Sequence, residues 1–417
     1  MIKIKFSHLL LPLIGIWLGG DAQTVQPVQP RNALPNIFKK LQTQNDVTIA
    51  FLGGSITNHN GYRVYVTDWL KDQYPKCHIN SINAGVGGTG SGLGVFRMDE
   101  DVLSKKPDMV FVEFAVNDGG VDSLTLQHSM EGIVRKIWKQ NINTDIYFVY
   151  TCQITNLNDL NKGKYPHSAI VMEKVAEHYK IPSIEMGFVV ANMVAAGKMD
   201  FKGSKTANTG KPYFSDDGTH PTIEFGHHIY ADTIIGSLKQ MVGMPSQQRK
   251  SLIPPLDEQN NEDAHNYPIT DATLEGNWKI LPTTDQLSKQ FADKFQSIAF
   301  ASDSSSKLTI KFKGTQIGFY DLLGPTSGRM KAVIDDGKPI LVTRFDTYCV
   351  YTRANNFMFP VLKNGVHTLV LTPDETKIDK LKILKSRHTD AEIADTAKYD
   401  TQNVYLGKIL VMGELVK

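Results

Sequence analysis

Short apolar runs alternate with longer amphipathic stretches over the first half of the chain, and this alternation restricts the possible folds more than any other feature. The runs at 47–52, 79–83, 109–114, 146–151 and 183–186 are apolar toward both sides. Strands of a parallel sheet covered by helices on both faces have that character. The stretches at 62–73, 93–103, 124–140 and 168–179 have helical periodicity, and a last one at 222–242 closes the series. Strand and helix in turn predict a doubly wound, flavodoxin-like α/β domain with a parallel sheet. In such sheets reactive groups collect at the carboxyl ends of the strands.

The texture changes after residue 242. Residues 243–268 hold Pro245, Pro254, Pro255 and Pro268 among Gln, Asn, Asp and Glu, which predicts an interdomain linker. Beyond it, alternating runs at 308–312, 317–320, 331–334 and 368–371 are separated by turn signals such as Asp335-Asp336-Gly337 and Lys363-Asn364-Gly365. Residues 269–417 are therefore expected to form an all-β sandwich or jelly roll. At the other end, Lys3 and Lys5 precede an apolar run at 9–18, and Gly20-Asp21-Ala22 offers a small-residue cleavage site. This pattern predicts a signal peptide at 1–22, a lead-in segment at 23–45 and a secreted or periplasmic protein. The run is too short for a comfortable membrane span, so no stable membrane insertion is expected.

A chain of 417 residues is long enough for two domains, and 41% hydrophobic with 21% charged residues is the composition of a globular protein. A net charge of +2, with no concentrated basic tract, argues against a nucleic-acid partner. Cys77, Cys152 and Cys349 are too few for a disulfide framework and match no zinc spacing. No metal or cofactor is expected.

Four short motifs fall where chemistry is expected. Gly53-Gly54-Ser55 follows the first strand, where a serine on a tight turn exposes its Oγ beside free backbone N–H groups. Asn83-Ala84-Gly85-Val86-Gly87-Gly88 follows the second strand, and Asn117-Asp118 the third; Gly88 can offer a backbone N–H and Asn117 an amide to a developing oxyanion. Asp217-Gly218-Thr219-His220-Pro221 precedes the last helix, and an acyl-transfer serine needs both a base and a carboxylate to orient it. Pro221 suits the first position of that helix, which would place His220 at its start. Each motif alone has an ordinary explanation as a turn or cap; their order gives them weight.

In this order they resemble the blocks of the SGNH hydrolase superfamily, also called GDSL-type esterases, over roughly 46–242. The resemblance implies Ser55 as nucleophile, His220 as base and Asp217 as its orienter. The implied oxyanion hole is the Ser55 and Gly88 amides with the Asn117 side chain, Gly88 being preferred to Gly85 and Gly87 by its spacing from Asn83. Two positions depart from the family pattern: Gly54 stands where an aspartate is usual, and Ala115 where a glycine is usual. Asn58, His59, Arg63 and Arg97 are candidate substrate contacts. Glu113 is expected as a buried, paired carboxylate, and His227 and His228 as structural or solvated residues of the last helix.

A secreted domain of this kind joined to a β-sandwich resembles carbohydrate esterases, which implies an acylated glycan as partner and removal of O-acetyl groups through an acyl-Ser55 intermediate. Phe345, Tyr348, Tyr351, Phe357 and Phe359 could stack on sugars or fill the sandwich core. A lipase or thioesterase of the same superfamily, and an inactive glycan-binding protein, are the competing readings.

Overall fold

The computed structural model describes residues 26–416 apart from 44, 45, 205, 207–209 and 394. The expected leader at 1–22 lies outside the described residues. Five parallel strands make the first sheet: β1 (Asp46–Gly53), β2 (His78–Gly85), β3 (Met109–Glu113), β4 (Asp145–Tyr150) and β5 (Ser183–Glu185). Their order is β2-β1-β3-β4-β5, as expected of a flavodoxin-like domain. The lead-in does more than run alongside, because Val28–Gln29 pairs antiparallel with β5 and adds a sixth strand.

Alternate residues of each strand enter two separate cores. Helices α1 (Ser55–Asn58), α2 (Tyr62–Gln73), α3 (Ser91–Asp101), α4 (Ser123–Gln140), α5 (His167–Tyr179), α6 (Gly187–Ala195) and α7 (Gly226–Met241) follow in chain order. Ala50, Leu52, Val110 and Val112 pack with α3, α4 and α5. Ile49, Phe51, Met109 and Phe111 pack with α2, α6 and α7 on the opposite face. Strands apolar on both sides are the sequence trace of this sandwiching.

The strands of the second domain pair antiparallel. Its strands include β6 (Ala264–Pro268), β7 (Lys307–Leu323), β8 (Arg329–Ile334), β9 (Arg353–Met358), β10 (Gly365–Asp374) and β11 (Val404–Leu415). One edge of β7 carries β11; the other carries β10 along its first half and β9 along its second. Bending in this way, the sheet encloses a core that includes Leu308, Phe312, Phe319, Met330, Leu369 and Ile409, the sandwich that the alternating pattern predicts. Phe345 and Phe359 are buried, and Phe357 lies 4.4 Å beneath the Arg344 guanidinium; only Tyr348 and Tyr351 of the five candidate sugar-stacking aromatics are exposed.

The two domains are not beads on a string. Lys307, Lys311 and Lys313 alternate with buried residues in the first half of β7, but from Ile317 to Leu323 the strand is buried on both faces. Tyr320, Leu322, Leu410, Phe291 and Phe295 belong to the same apolar cluster as Val95, Phe96 and Met98 of α3. The expected linker is docked on α4. The Glu131 carboxylate accepts from the Leu256 and Asp257 amides at 2.5 and 3.1 Å, Arg135 Nε donates to Glu262 at 2.7 Å, and Lys136 Nζ donates to the Ala264 carbonyl at 2.5 Å. Its last five residues are strand β6, paired with β11. Phe295 stands at the junction, 4.7 Å from the Tyr320 ring. Phe295→Ala should therefore cost about 3 to 5 kcal/mol and lower the melting of both domains together. Two separate transitions, only one of them shifted, would contradict a shared core.

Candidate active site

The register of the sheet sets Gly53, Gly85 and Glu113 side by side at the carboxyl edge. From Gly53 the chain turns directly into the short helix α1, whose first residue is Ser55. The first N–H of a helix has no acceptor within it, so the Ser55 amide stays available beside its own hydroxyl. Beneath the turn, Glu113 is fully buried. Thr57 Oγ1 and Thr151 Oγ1 donate to it at 2.9 and 2.5 Å, and the Gly54 amide is a further partner. Tyr62 Oη bonds Thr57 Oγ1 at 2.7 Å. Burial pushes the Glu113 carboxyl up, against these hydrogen bonds. Its partners are hydroxyls and an amide, so the pairing expected of Glu113 is not ionic.

Ser55 Oγ lies 2.8 Å from His220 Nε2, and His220 Nδ1 lies 2.6 Å from Asp217 Oδ2. The other Asp217 oxygen accepts from the Thr219 and His220 amides, both at 2.8 Å, and from Ser215 Oγ at 3.1 Å. Burial works against ionisation of Asp217, but the His220 ring and these amides outweigh it and hold the carboxyl well below the usual range. With Asp217 ionised, the His220 proton sits on Nδ1 and Nε2 is free to accept from the serine. The Asp217 side chain is 53% exposed, so solvent shares in screening this pair.

The segment carrying His220 differs from expectation in one respect. Helix α7 begins at Gly226, not at Pro221. Pro221 instead makes a bridge to Ser215, and Thr222 Oγ1 accepts from the Gly226 amide at 2.9 Å. The tight turn closed by Asp217, rather than a helix start, is what holds the imidazole.

Asn117 and the glycine turn meet at the same place. A Cβ on Gly54 would stand 2.1 Å from Asn117 Oδ1, so only a residue without a side chain leaves room for this amide. That accounts for one departure from the family pattern. Ala115, the other, is buried, and its carbonyl accepts from Ser168 Oγ at 2.6 Å. Gly88 has φ +72°, in the left-handed region that favours glycine, and Gly87 faces Ser55. Asp118, next to Asn117, is buried and accepts from the Ser91 amide with both oxygens at 3.1 Å. It thereby ties the Asn117 loop to the start of α3, just after the Gly88 turn.

Among the remaining candidates, His59 is half-buried, 5.3 Å from the His220 ring. With Asp216, Asp217, His220, Ile223 and Glu224 it lines a cavity of about 330 Å³ beside the serine's base. Burial first, then the neighbouring His220, lowers its pKa. Asn58 is exposed at the rim and accepts from Asn83 Nδ2. Arg63 folds back on Thr57 O and Asn60 Oδ1 at 3.1 and 2.8 Å. Arg97 is buried, and its guanidinium donates to the Gly53 and Ala84 carbonyls and to Asp101; it is committed to the fold rather than open to a ligand. His227 is fully buried, takes the Tyr62 amide on Nδ1 at 3.2 Å, and has its pKa lowered to about 3, chiefly by burial. Among the described residues no group of three His, Cys, Asp or Glu is placed to hold a metal, and no helix is long and apolar enough to cross a membrane.

Sequence reasoning passed over Thr57, Thr151, Ser215 and the contact made by Asp118, because each acts through a partner distant in the chain or looks like an ordinary turn residue. Asp118 offers a check. Burial pushes its carboxyl up to about 6, above the ordinary aspartate value of about 3.9. The folded chain thus holds this proton more tightly, and stability contributed by the protonated group is lost as pH rises through that window. Asp118→Asn should flatten the stability curve between about pH 4 and 6, read from urea unfolding at three pH values. An unchanged slope would refute the assignment.

Residues 51–227 match the model of the GDSL-like lipase/acylhydrolase family. No curated protein matches the chain in sequence. Among solved structures the chain is similar to a two-domain esterase active on acetylated mannans, with 21% identity, a TM-score of 0.70, and 91% of this chain and 94% of that one covered. It is likewise similar to a two-domain esterase active on acetylated mannans co-crystallised with mannopentaose, with 21% identity, a TM-score of 0.68 and the same coverage. At this identity the likeness is one of fold, and it spans both domains. The α/β domain thus carries the match to the GDSL-like lipase/acylhydrolase family, which makes the chain a carboxylic ester hydrolase with a second, all-β domain.

Proposed function

We propose that this protein is a secreted esterase that removes O-acetyl groups from a glycan through an acyl-Ser55 intermediate. The observation that carries the reading is the continuous relay from Ser55 Oγ to His220 and Asp217, at 2.8 and 2.6 Å. In the first half-reaction Ser55 Oγ attacks the acetyl carbonyl carbon and its proton passes to His220 Nε2. The tetrahedral oxyanion is met by the Ser55 and Gly88 amides and the Asn117 side chain. Collapse breaks the bond to the sugar oxygen, which takes the proton from His220 and leaves as the free hydroxyl. Water then repeats the sequence on the acyl-serine and releases acetate.

The glycan is inferred from company and from the shape of the site. The two solved structures that share both domains are described as esterases active on acetylated mannans, which makes an acetylated mannan the first substrate to try. The cavity beside His220 is small, and mixes His59, Asp216, Asp217 and Glu224 with Pro221 and Ile223. A larger apolar cavity, about 800 Å³, lies between the Val28 edge strand and α7 and includes none of the relay residues. This favours a short acyl group on a polar alcohol over a long-chain lipid. Secretion rests on the leader pattern at 1–22.

Ser55→Ala and His220→Ala should each lower turnover of an activated acetyl ester by at least about a thousandfold. Asp217→Asn should lose less, since that carboxylate is half-exposed. Equal hydrolysis by wild type and Ser55→Ala would overturn the nucleophile, and faster turnover of octanoyl than acetyl esters would overturn the acyl group. Acetate release from acetylated mannan, xylan and pectin decides the glycan. Gly54→Ala should displace the Asn117 amide and reduce kcat about a hundredfold in a chain that still folds; wild-type kcat in this variant would remove Asn117 from the oxyanion hole.

A further inference from the structure

We propose that the β domain is a working part of the catalytic scaffold, coupled to the Ser55 turn through α3, with Arg97 as the positioning residue. This rests on the Ser55 reading above. Helix α3 touches the site at two points. At its start the Ser91 amide is held by Asp118, the neighbour of Asn117. Two turns on, Arg97 Nη2 donates to the Gly53 carbonyl at 2.9 Å and Nη1 to the Ala84 carbonyl at 2.7 Å. Those carbonyls lie at the ends of β1 and β2, from which the Ser55 turn and the Gly88 turn emerge. The planar guanidinium spans both with fixed geometry, which a lysine ammonium does not reproduce.

The other side of α3 belongs to the β domain. Glu100 pairs with Lys408 of β11, and Asp99 with His265 of β6 at 2.8 Å. Asp101 pairs with Arg97 at 2.6 Å. Tyr320 of β7 is buried at the junction, with Arg97 and Asp101 among the charges that act on its hydroxyl. Three consecutive acids, Asp99, Glu100 and Asp101, thus fix the end of α3 against the second domain and against its own arginine. The helix is held from the outside by the β domain and holds the two turns from the inside, so a shift of the interface moves Gly53 and Ala84.

A buried arginine that merely stabilises the fold would change melting without changing the reactivity of the serine. The test therefore reads Ser55 directly, as the rate of its labelling by a fluorophosphonate in the full chain, beside kcat and KM for 4-nitrophenyl acetate and the melting temperature. Arg97→Met should slow labelling and lower kcat at least tenfold with KM within twofold, and Arg97→Lys should fall between it and wild type. Should Arg97→Met fail to fold, Lys408→Met, which alters only the far side of α3, is the decisive variant and should slow labelling about threefold. Wild-type labelling rates in Lys408→Met and Arg97→Lys, whatever their melting temperatures, would overturn the coupling and leave the Ser55 reading standing. A wild-type chain that is not labelled at Ser55 would overturn that reading, and the coupling with it.

Discussion

Parallel strands all end on the same edge of their sheet, and the serine, glycine and asparagine of the site hang from that edge. The register that aligns Gly53, Gly85 and Glu113 brings the serine turn and the glycine turn to adjacent strand ends, with the asparagine following on β3. His220 alone arrives from a separate segment after β5, and it is the residue with the most local support, since Asp217 binds both its ring and its amide. A histidine brought in by a long connection needs such a clamp, because the following helix begins only at Gly226 and a single bridge from Pro221 to Ser215 flanks it.

Holding that edge together requires polar groups to be buried behind it. Glu113 and Arg97 lie under the Ser55 turn, one accepting from hydroxyls and an amide, the other donating to carbonyls. Burying either unpaired would cost several kcal/mol, on the order of 3 to 5, and each meets partners of opposite character, Arg97 through its two terminal nitrogens. The same groups give the turn its definition: an apolar filling of equal volume would pack as well but would not specify where the carbonyls of Gly53 and Ala84 point. Precision at the serine is bought with polar atoms in the interior.

The β domain changes what this scaffold can be. Covering α3 and α4 with Tyr320, Leu322 and Leu410 buries a face that an isolated α/β domain would leave in water. A docked linker and a shared core make the relative placement of the two domains part of the fold. Tyr348 and Tyr351 remain exposed on the second domain, while the other aromatics that could have met sugars are spent on its interior.

Much of this was legible in the chain itself. The period of the apolar runs determined the class of sheet, because a strand buried on both faces cannot show the alternation of a half-exposed one, and the ordered motifs located Ser55, Gly88, Asn117, Asp217 and His220 at the strand ends and the last turn. Those features are local, written within a few residues of one another. What the sequence could not tell was which polar residues face inward across the chain. Arg97 reads as a candidate substrate contact until Gly53 and Ala84 are brought to it, and Asp118 reads as a turn residue until Ser91 arrives. The lead-in strand at Val28–Gln29, the docking of the linker on Glu131, Arg135 and Lys136, and the second buried face of β7 were likewise decided only in three dimensions. Each depends on a partner far away in sequence, and a periodic pattern records that a face is covered without recording by what.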